Sequence, residues 1–136
     1  MRRLLLLSTL AVGSVLAPGA SAATSPTAFQ SPSRNIGCIV SAGSARCDIR
    51  ARDWAPPAKP ASCPVDYGQG LVVGATSTRG RFVCAGDTAL GGPEVLPYGR
   101  SVRRGSITCT SRTTGVTCKN TRGHGFLISR GSYRRF

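Results

Sequence analysis

The sequence predicts a small all-β domain of short antiparallel hairpins, stapled by disulfides and preceded by an export signal. Three observations carry that expectation. Residues 1–22 have the layout of a cleavable signal peptide, which places the rest of the chain in a compartment where cysteines pair. All six cysteines, an even number, fall in the remaining 114 of the 136 residues. That remainder is also poor in helix formers, with four Leu, two Lys, two Gln, one Glu and no Met. Val and Ile together number thirteen, and Thr and Gly abound, which favours strands and turns.

The export signal reads in three parts. Arg2 and Arg3 supply the positive start, and residues 4–16 supply an apolar run too short to span a bilayer comfortably. Pro18-Gly19 ends that run, and Ala20-Ser21-Ala22 forms an A-x-A cleavage site, so the mature chain is expected to begin at Ala23. A retained membrane anchor fits less well, because small residues follow the break. No cysteine follows the run closely enough for a lipid anchor; the first is Cys38. Nothing downstream approaches the roughly 20 apolar residues of a membrane-spanning helix. The product is expected to be secreted, with a flexible tail at 23–28 and a single domain at 29–136.

Only 25 of the 114 residues are large and apolar (Val, Ile, Leu, Phe, Trp, Tyr), a thin core for a chain of this length. Covalent bracing is therefore expected. Zinc is the rival to disulfides, but there is no C-x-x-C pair and His124 is the only histidine, so the usual ligand spacings are missing. No metal and no cofactor is indicated.

The cysteine spacing gives the first hairpins. Ile36-Gly37-Cys38 is followed nine residues later by Cys47, and Ile107-Thr108-Cys109 nine residues later by Cys118. Directly opposed positions in a hairpin with an even-numbered loop differ by an odd number. Setting Cys38 against Cys47 leaves Ala42-Gly43 as a two-residue turn, where glycine tolerates the positive φ such turns require. Setting Cys109 against Cys118 places Arg112-Thr113-Thr114-Gly115 at the tip. Opposed residues of a non-hydrogen-bonded pair have Cα atoms about 4.5 Å apart, a span a disulfide accepts. By elimination Cys63 joins Cys84. This local pattern is one of 15 connectivities that six cysteines allow. The matched segments are either an internal duplication or a coincidence in a short Cys-rich chain, and the sequence leaves both open.

Between these anchors, residues 48–54 are the best place for a helical turn. Prolines make 54–64 an irregular connection. Residues 71–73 and 81–84 read as strands around the 74–80 turn. Gly91-Gly92-Pro93 and Pro97-Tyr98-Gly99 read as turns, and residues 101–104 and 126–130 as further strands.

Several segments together resemble a family of small secreted six-cysteine proteins of actinobacteria, catalogued as a domain of unknown function. They are Ser31-Pro32-Ser33-Arg34-Asn35-Ile36-Gly37-Cys38, Phe82-Val83-Cys84-Ala85-Gly86-Asp87-Thr88, Leu96-Pro97-Tyr98-Gly99, Gly115-Val116-Thr117-Cys118 and Gly123-His124-Gly125-Phe126. The resemblance implies secretion and paired cysteines and no particular activity. In that pattern glycine is common where Arg34 stands, implying a tight turn of positive φ that an arginine fits poorly. Tryptophan is common where Tyr67 stands, a departure that changes little.

Catalysis has few groups to draw on: one His, one Glu and four Asp. His124, between two glycines, reads first as a solvent-facing loop residue. A ribonuclease is the enzymatic alternative, since Glu94, Arg104 and His124 follow the order base, cation, acid of small secreted bacterial guanyl-specific ribonucleases. Six cysteines and short cystine hairpins are foreign to those enzymes. There is no G-x-S-x-G, and paired cysteines cannot serve as nucleophiles. Gly68-Gln69-Gly70 and Gly86-Asp87-Thr88 lack the lysine and following helix of a phosphate loop. Asp66 and Asp87 are expected to cap turns through their own backbone. A second alternative is an inhibitor of an extracellular hydrolase that offers Arg112 from a rigid hairpin tip.

Charge gives the strongest functional signal. The formal net charge of +13 becomes +11 once Arg2 and Arg3 are removed. Residues 23–94 hold seven basic and all five acidic side chains, whereas residues 95–136 hold nine basic and none acidic. Arg100, Arg103, Arg104, Arg112, Lys119, Arg122 and Arg130 are the candidate polyanion-binding residues. In the 109–118 hairpin, Thr108, Thr110, Arg112, Thr117 and Lys119 share the face opposite the cystine. Guanidinium forks and hydroxyls suit phosphate or sulfate oxygens. Few aromatics interleave with the cations, so specific reading of nucleic acid is not expected. The expectation is a monomeric, non-catalytic binding module for anionic polymers or envelope surfaces. N-terminal sequencing of protein recovered from culture medium should start at Ala23; a start at Met1 would contradict the export reading.

Overall fold

The computed structural model describes residues 13–17 and 27–136. The expected cleavage site and most of the expected export signal lie outside the described residues. Within them the chain forms eleven strands and no helix. The first sheet contains β1 (Thr27–Gln30), β2 (Ile36–Val40), β3 (Ser44–Ile49), β4 (Tyr67–Gly74), β5 (Arg81–Cys84) and the short β6 (Glu94–Val95), in the order β5-β4-β3-β2-β1-β6. The second contains β7 (Ser101–Arg104), β8 (Ile107–Arg112), β9 (Gly115–Asn120), β10 (Gly125–Ile128) and β11 (Tyr133–Arg135), in the order β11-β10-β9-β8-β7. Neighbours are antiparallel except β6, which runs parallel to β1.

Both cystine hairpins have the register that their spacing predicts. Cys38 opposes Cys47 and Cys109 opposes Cys118, with Cα atoms 4.1 Å apart in each pair. The third disulfide is Cys63–Cys84, and no described cysteine is free. The similarity between the segments extends to topology. β1–β5 and β7–β11 are both five-stranded meanders whose second and third strands carry the cystine. In each fourth strand a large apolar residue opposes the second cysteine, Leu71 to Cys47 and Phe126 to Cys118. A glycine precedes each of them. A Cβ on Gly70 would overlap the Cys47 carbonyl oxygen, and one on Gly125 the Cys118 carbonyl oxygen.

Strand alternation puts one set of side chains between the sheets. Cys38, Val40, Cys47, Leu71 and Val73 from the first sheet meet Ile107, Cys109, Val116, Cys118, Phe126 and Ile128 from the second, all essentially without solvent contact. At the centre Cys47 Sγ lies 3.6 Å from Cys118 Sγ, so the two disulfides touch across the sandwich. At one side the aromatic rings of Trp54, Phe82 and Tyr133 close the core, with Tyr133 centred 4.7 Å from Trp54 and 5.0 Å from Phe82. The Trp54 indole N–H donates to Ser129 O at 2.9 Å, which fastens the proline-rich connection to the second sheet.

Four expectations need correction. No helical turn forms at 48–54. Asp48 and Ile49 finish β3, and the next amides go to distant carbonyls, Arg50 N to Asn35 O and Asp53 N to Arg130 O, both 2.9 Å. Thr27 and Ala28, placed in the tail, pair with Val40 and Ile39 in β1. The strand read as 126–130 ends at Ile128, because Ser129 turns the chain by bonding Ser132 and a further strand, β11, follows. The turn before β2 keeps its shape despite lacking glycine: Arg34 has φ 58°, and its N–H donates to Ser31 O at 2.8 Å. A left-handed conformation costs a residue with a Cβ roughly 1–2 kcal/mol.

The outer face of the first sheet holds a buried carboxylate. Asp48 lies between Gly37 and Gly70 on the adjoining strands; Gly37 leaves room for Ala89 and Leu90 of the segment after β5, and Gly70 leaves room for the Asp48 carboxylate. Asp48 Oδ2 accepts from Ala89 N at 2.9 Å and Arg46 Nη2 at 2.7 Å, and Oδ1 accepts from Arg46 Nε at 2.9 Å. Arg46 Nη1 reaches on to Asp87 Oδ1 at 2.7 Å. Asp87 thus pairs across the segment with Arg46, and its carboxylate also bonds its own backbone as expected. The hydrogen bond from Arg46, with the guanidinium charge second, holds the Asp87 carboxyl below its ordinary value. Its contribution to stability is therefore present at neutral pH and is lost as acidification carries the solution below the ordinary value of 3.8 and through the depressed one. Asp48→Ala leaves Arg46 and the Ala89 amide without their buried acceptor and should cost about 3 kcal/mol in urea unfolding. Asp87→Ala at the exposed end should cost far less. Equal losses would show that the buried carboxylate does not organise the segment.

Candidate anion-binding surface

The outward faces of β7, β8 and β9 form two rows of side chains in register. One row runs Arg103, Thr108, Lys119, and the other Ser101, Thr110, Thr117. These residues alternate with Val102, Cys109 and Cys118 on the core side, which is why a hairpin pinned by a buried cystine must show hydroxyls and cations outward. Adjacent strands lie about 4.8 Å apart, so Arg103 and Lys119 stand roughly 10 Å apart with Thr108 between them. Ser101 Oγ and Thr110 Oγ1 are joined at 2.7 Å. Arg103 is anchored through Nε to Gly105 O at 3.1 Å, while Lys119, exposed, has no hydrogen bond or ion pair among the described residues. Arg134 joins the second row through Leu127.

Electrostatics set this face apart from the first sheet. Two of the five carboxylates, Asp48 and Asp87, are occupied by Arg46. Asp53 makes a looser contact with Arg130 at 3.6 Å. None of the five lies beyond Glu94, so the cations on the face of the second sheet have no acidic neighbour within their own strands.

The other candidate residues are dispersed. Arg100 is exposed in the connection before β7. Arg104 pairs with Ile107, on the core-facing parity, and its Nη1 donates to Arg103 O at 2.9 Å, so it does not share the face of Arg103. Arg122 is exposed in the β9–β10 turn, with Nη1 3.5 Å from Thr76 O. Arg112, at the β8–β9 tip offered to the inhibitor alternative, and Arg130, after β10, both border a cavity at the opposite end of the sandwich. The ribonuclease alternative draws on three separate elements. Glu94 is exposed on β6 at the rim of the first sheet, Arg104 lies on β7, and His124 sits in the β9–β10 turn, its N–H donating to Asn120 Oδ1 at 3.1 Å. Among the described residues no hydrogen bond or ion pair links Glu94 with His124.

Sequence reasoning passed over two polar features. The Arg46–Asp48–Asp87 chain of bonds left one sign, an arginine and an aspartate two residues apart and hence on one face of a strand. The convergence of Arg112 and Arg130 left none, because it depends on how the hairpin tips assemble. The sulfurs of Cys38, Cys47 and Cys118 lie within 4.8 Å of one another, but all three are disulfide sulfurs, so their proximity is core packing.

Two cystine-pinned meanders packed face to face, one with a hydroxyl-and-cation outer surface, define a small disulfide-braced β-sandwich. The chain belongs to a family of unknown function, DUF6636, whose model matches residues 6–136. No curated protein and no solved structure matches it.

Proposed function

We propose that the protein is exported, cleaved after Ala22, and acts as a monomeric cationic module that adheres to anionic polymers of the cell envelope or its surroundings, without catalysis. The observation that carries this reading is the outward row Arg103, Thr108, Lys119, unopposed by any carboxylate in residues 95–136. Cations set on rigid strands lose less freedom on binding than cations on loops. Hydroxyls between them add donors for phosphate, sulfate or carboxylate oxygens. Such adhesion is electrostatic and weakens steeply with salt, because each neutralised charge on the polymer releases a counterion. The disulfides and the absence, among the described residues, of a helix long and apolar enough to cross a membrane are compatible with export.

Heparin or phosphocellulose chromatography tests the assignment to a face. Reversing Arg103, Arg134 and Lys119 to Glu should move elution to much lower salt than reversing Arg50, Lys59 and Arg81, three exposed cations outside the second sheet. Equal shifts would mean that net charge alone governs retention and that the face is not a site.

A further inference from the structure

We infer that the end of the sandwich opposite Arg122 carries a separate pocket for one tetrahedral oxyanion, phosphate or sulfate, held by Arg112 and Arg130. Three turns distant in sequence build it: the β1–β2 turn with Ser31, Ser33 and Asn35, the β8–β9 tip with Arg112 and Thr113, and the β10–β11 turn with Ser129 and Arg130. Tyr98 forms the rim. The cavity measures about 150 Å³. A hollow of that size suits one anion with part of its hydration shell better than a polymer segment.

The chemistry of the lining favours an anion. Eight of the ten bordering residues carry a hydroxyl, amide or guanidinium, and none carries a carboxylate. The Arg112 guanidinium has no hydrogen-bond or ion-pair partner among the described residues. The Arg130 guanidinium touches Asp53 only through Nε, at 3.6 Å with both side chains mostly exposed, leaving its two Nη nitrogens for a ligand. Two guanidinium groups, each a fork of parallel donors, match the several oxygens of a phosphate monoester.

The walls are fixed before any ligand arrives. Ser31 Oγ accepts from Ile36 N at 3.2 Å and lies 3.0 Å from Ser33 Oγ. The Asn35 amide brackets Ala51, Nδ2 donating to its carbonyl and Oδ1 accepting from its N–H, each at 2.8 Å. Ser129 Oγ accepts from Ser132 N at 3.2 Å. Arg34, with φ 58°, sits between Ser33 and Asn35 in the chain and brings a third cation to this end at the cost of a left-handed backbone. The pocket does not require that the face of the second sheet bind anything.

Titration of the disulfide-bonded protein with sodium phosphate at constant ionic strength, followed by amide chemical shifts, tests the pocket. Saturating shifts should concentrate at Ser33, Asn35, Thr113 and Arg130. Arg112→Gln and Arg130→Gln should each weaken binding roughly tenfold or more, since each removes charged hydrogen bonds. A parallel titration with glycerol 3-phosphate separates the sources. Comparable affinity assigns the pocket to the phosphorylated end of a larger molecule, whereas binding of inorganic phosphate alone assigns it to the free ion. Heparin elution of the two Gln variants should fall no further than when Arg50 and Lys59 are neutralised. The Arg103, Arg134 and Lys119 reversal should leave the phosphate affinity within about twofold, since none of these side chains lines the cavity and salt screens their charges. Shifts that never saturate, that centre on Thr108 and Thr117, or that survive both Gln substitutions would overturn the proposal.

Discussion

Two disulfides meet at the centre of the sandwich, and most of the architecture can be traced outward from that contact. The Cys47 and Cys118 sulfurs lie 3.6 Å apart, with all four cysteines of the two bridges fully buried. A cystine that crosses two adjacent strands fixes their register, and a one-residue slip would turn every alternate side chain to the wrong face. Once both registers are fixed, both inner faces are fixed too, and the sheets have one way to stack. Leu71 and Phe126 then flank the cystines on the fourth strands. The glycines before them, Gly70 and Gly125, let those strands approach where a Cβ would strike the cysteine carbonyls.

The same constraint separates the outer surfaces. On the first sheet the segment after β5 packs against Gly37, and Arg46 spans Asp48 and Asp87 beneath it. The segment covers part of that face and Arg46 is paired there, while Ile39 and Arg81 in the same cross-strand row are exposed. On the second sheet nothing in the described chain plays the covering role, and the outward residues of β7–β9 are threonines, a serine and cations, with Leu127 and Arg134 beyond them. The functional proposal rests on this difference between the two faces, and the chain's net charge is its background.

Much of this was legible in the sequence, for a physical reason. Nine-residue cysteine spacing and period-two alternation are local, and together they yielded the register of both cystine hairpins and the outward set Thr108, Thr110, Thr117 and Lys119. What escaped depends on tertiary closure. Residues 48–54 carry no local bar to a helical turn, yet their amides are claimed by Asn35 and Arg130. β1 and β11 are short elements whose pairing comes from the sheet they join. Arg34 shows that a turn suited to glycine can hold an arginine when Ser31 bonds both sides of it. The meeting of Arg112 and Arg130 with Ser31 and Ser33 spans some eighty residues or more of chain and leaves no local trace.

The central role of the stacked cystines separates cleanly from simple loop entropy. Entropy alone ranks the bridges by loop length: about 2.7 kcal/mol for the nine-residue separations of Cys38–Cys47 and Cys109–Cys118, and about 3.4 kcal/mol for the 21-residue separation of Cys63–Cys84. Burial reverses the order, because removing a core cystine also removes packed sulfur and leaves a cavity, adding roughly 1–2 kcal/mol. Cys84, by contrast, is exposed. The deciding measurement is urea unfolding of three variants, each with one bridge replaced by a pair of alanines. Larger losses for Cys38→Ala/Cys47→Ala and Cys109→Ala/Cys118→Ala than for Cys63→Ala/Cys84→Ala are the predicted result. Losses that follow loop length, with the 63–84 variant the least stable, would contradict the account.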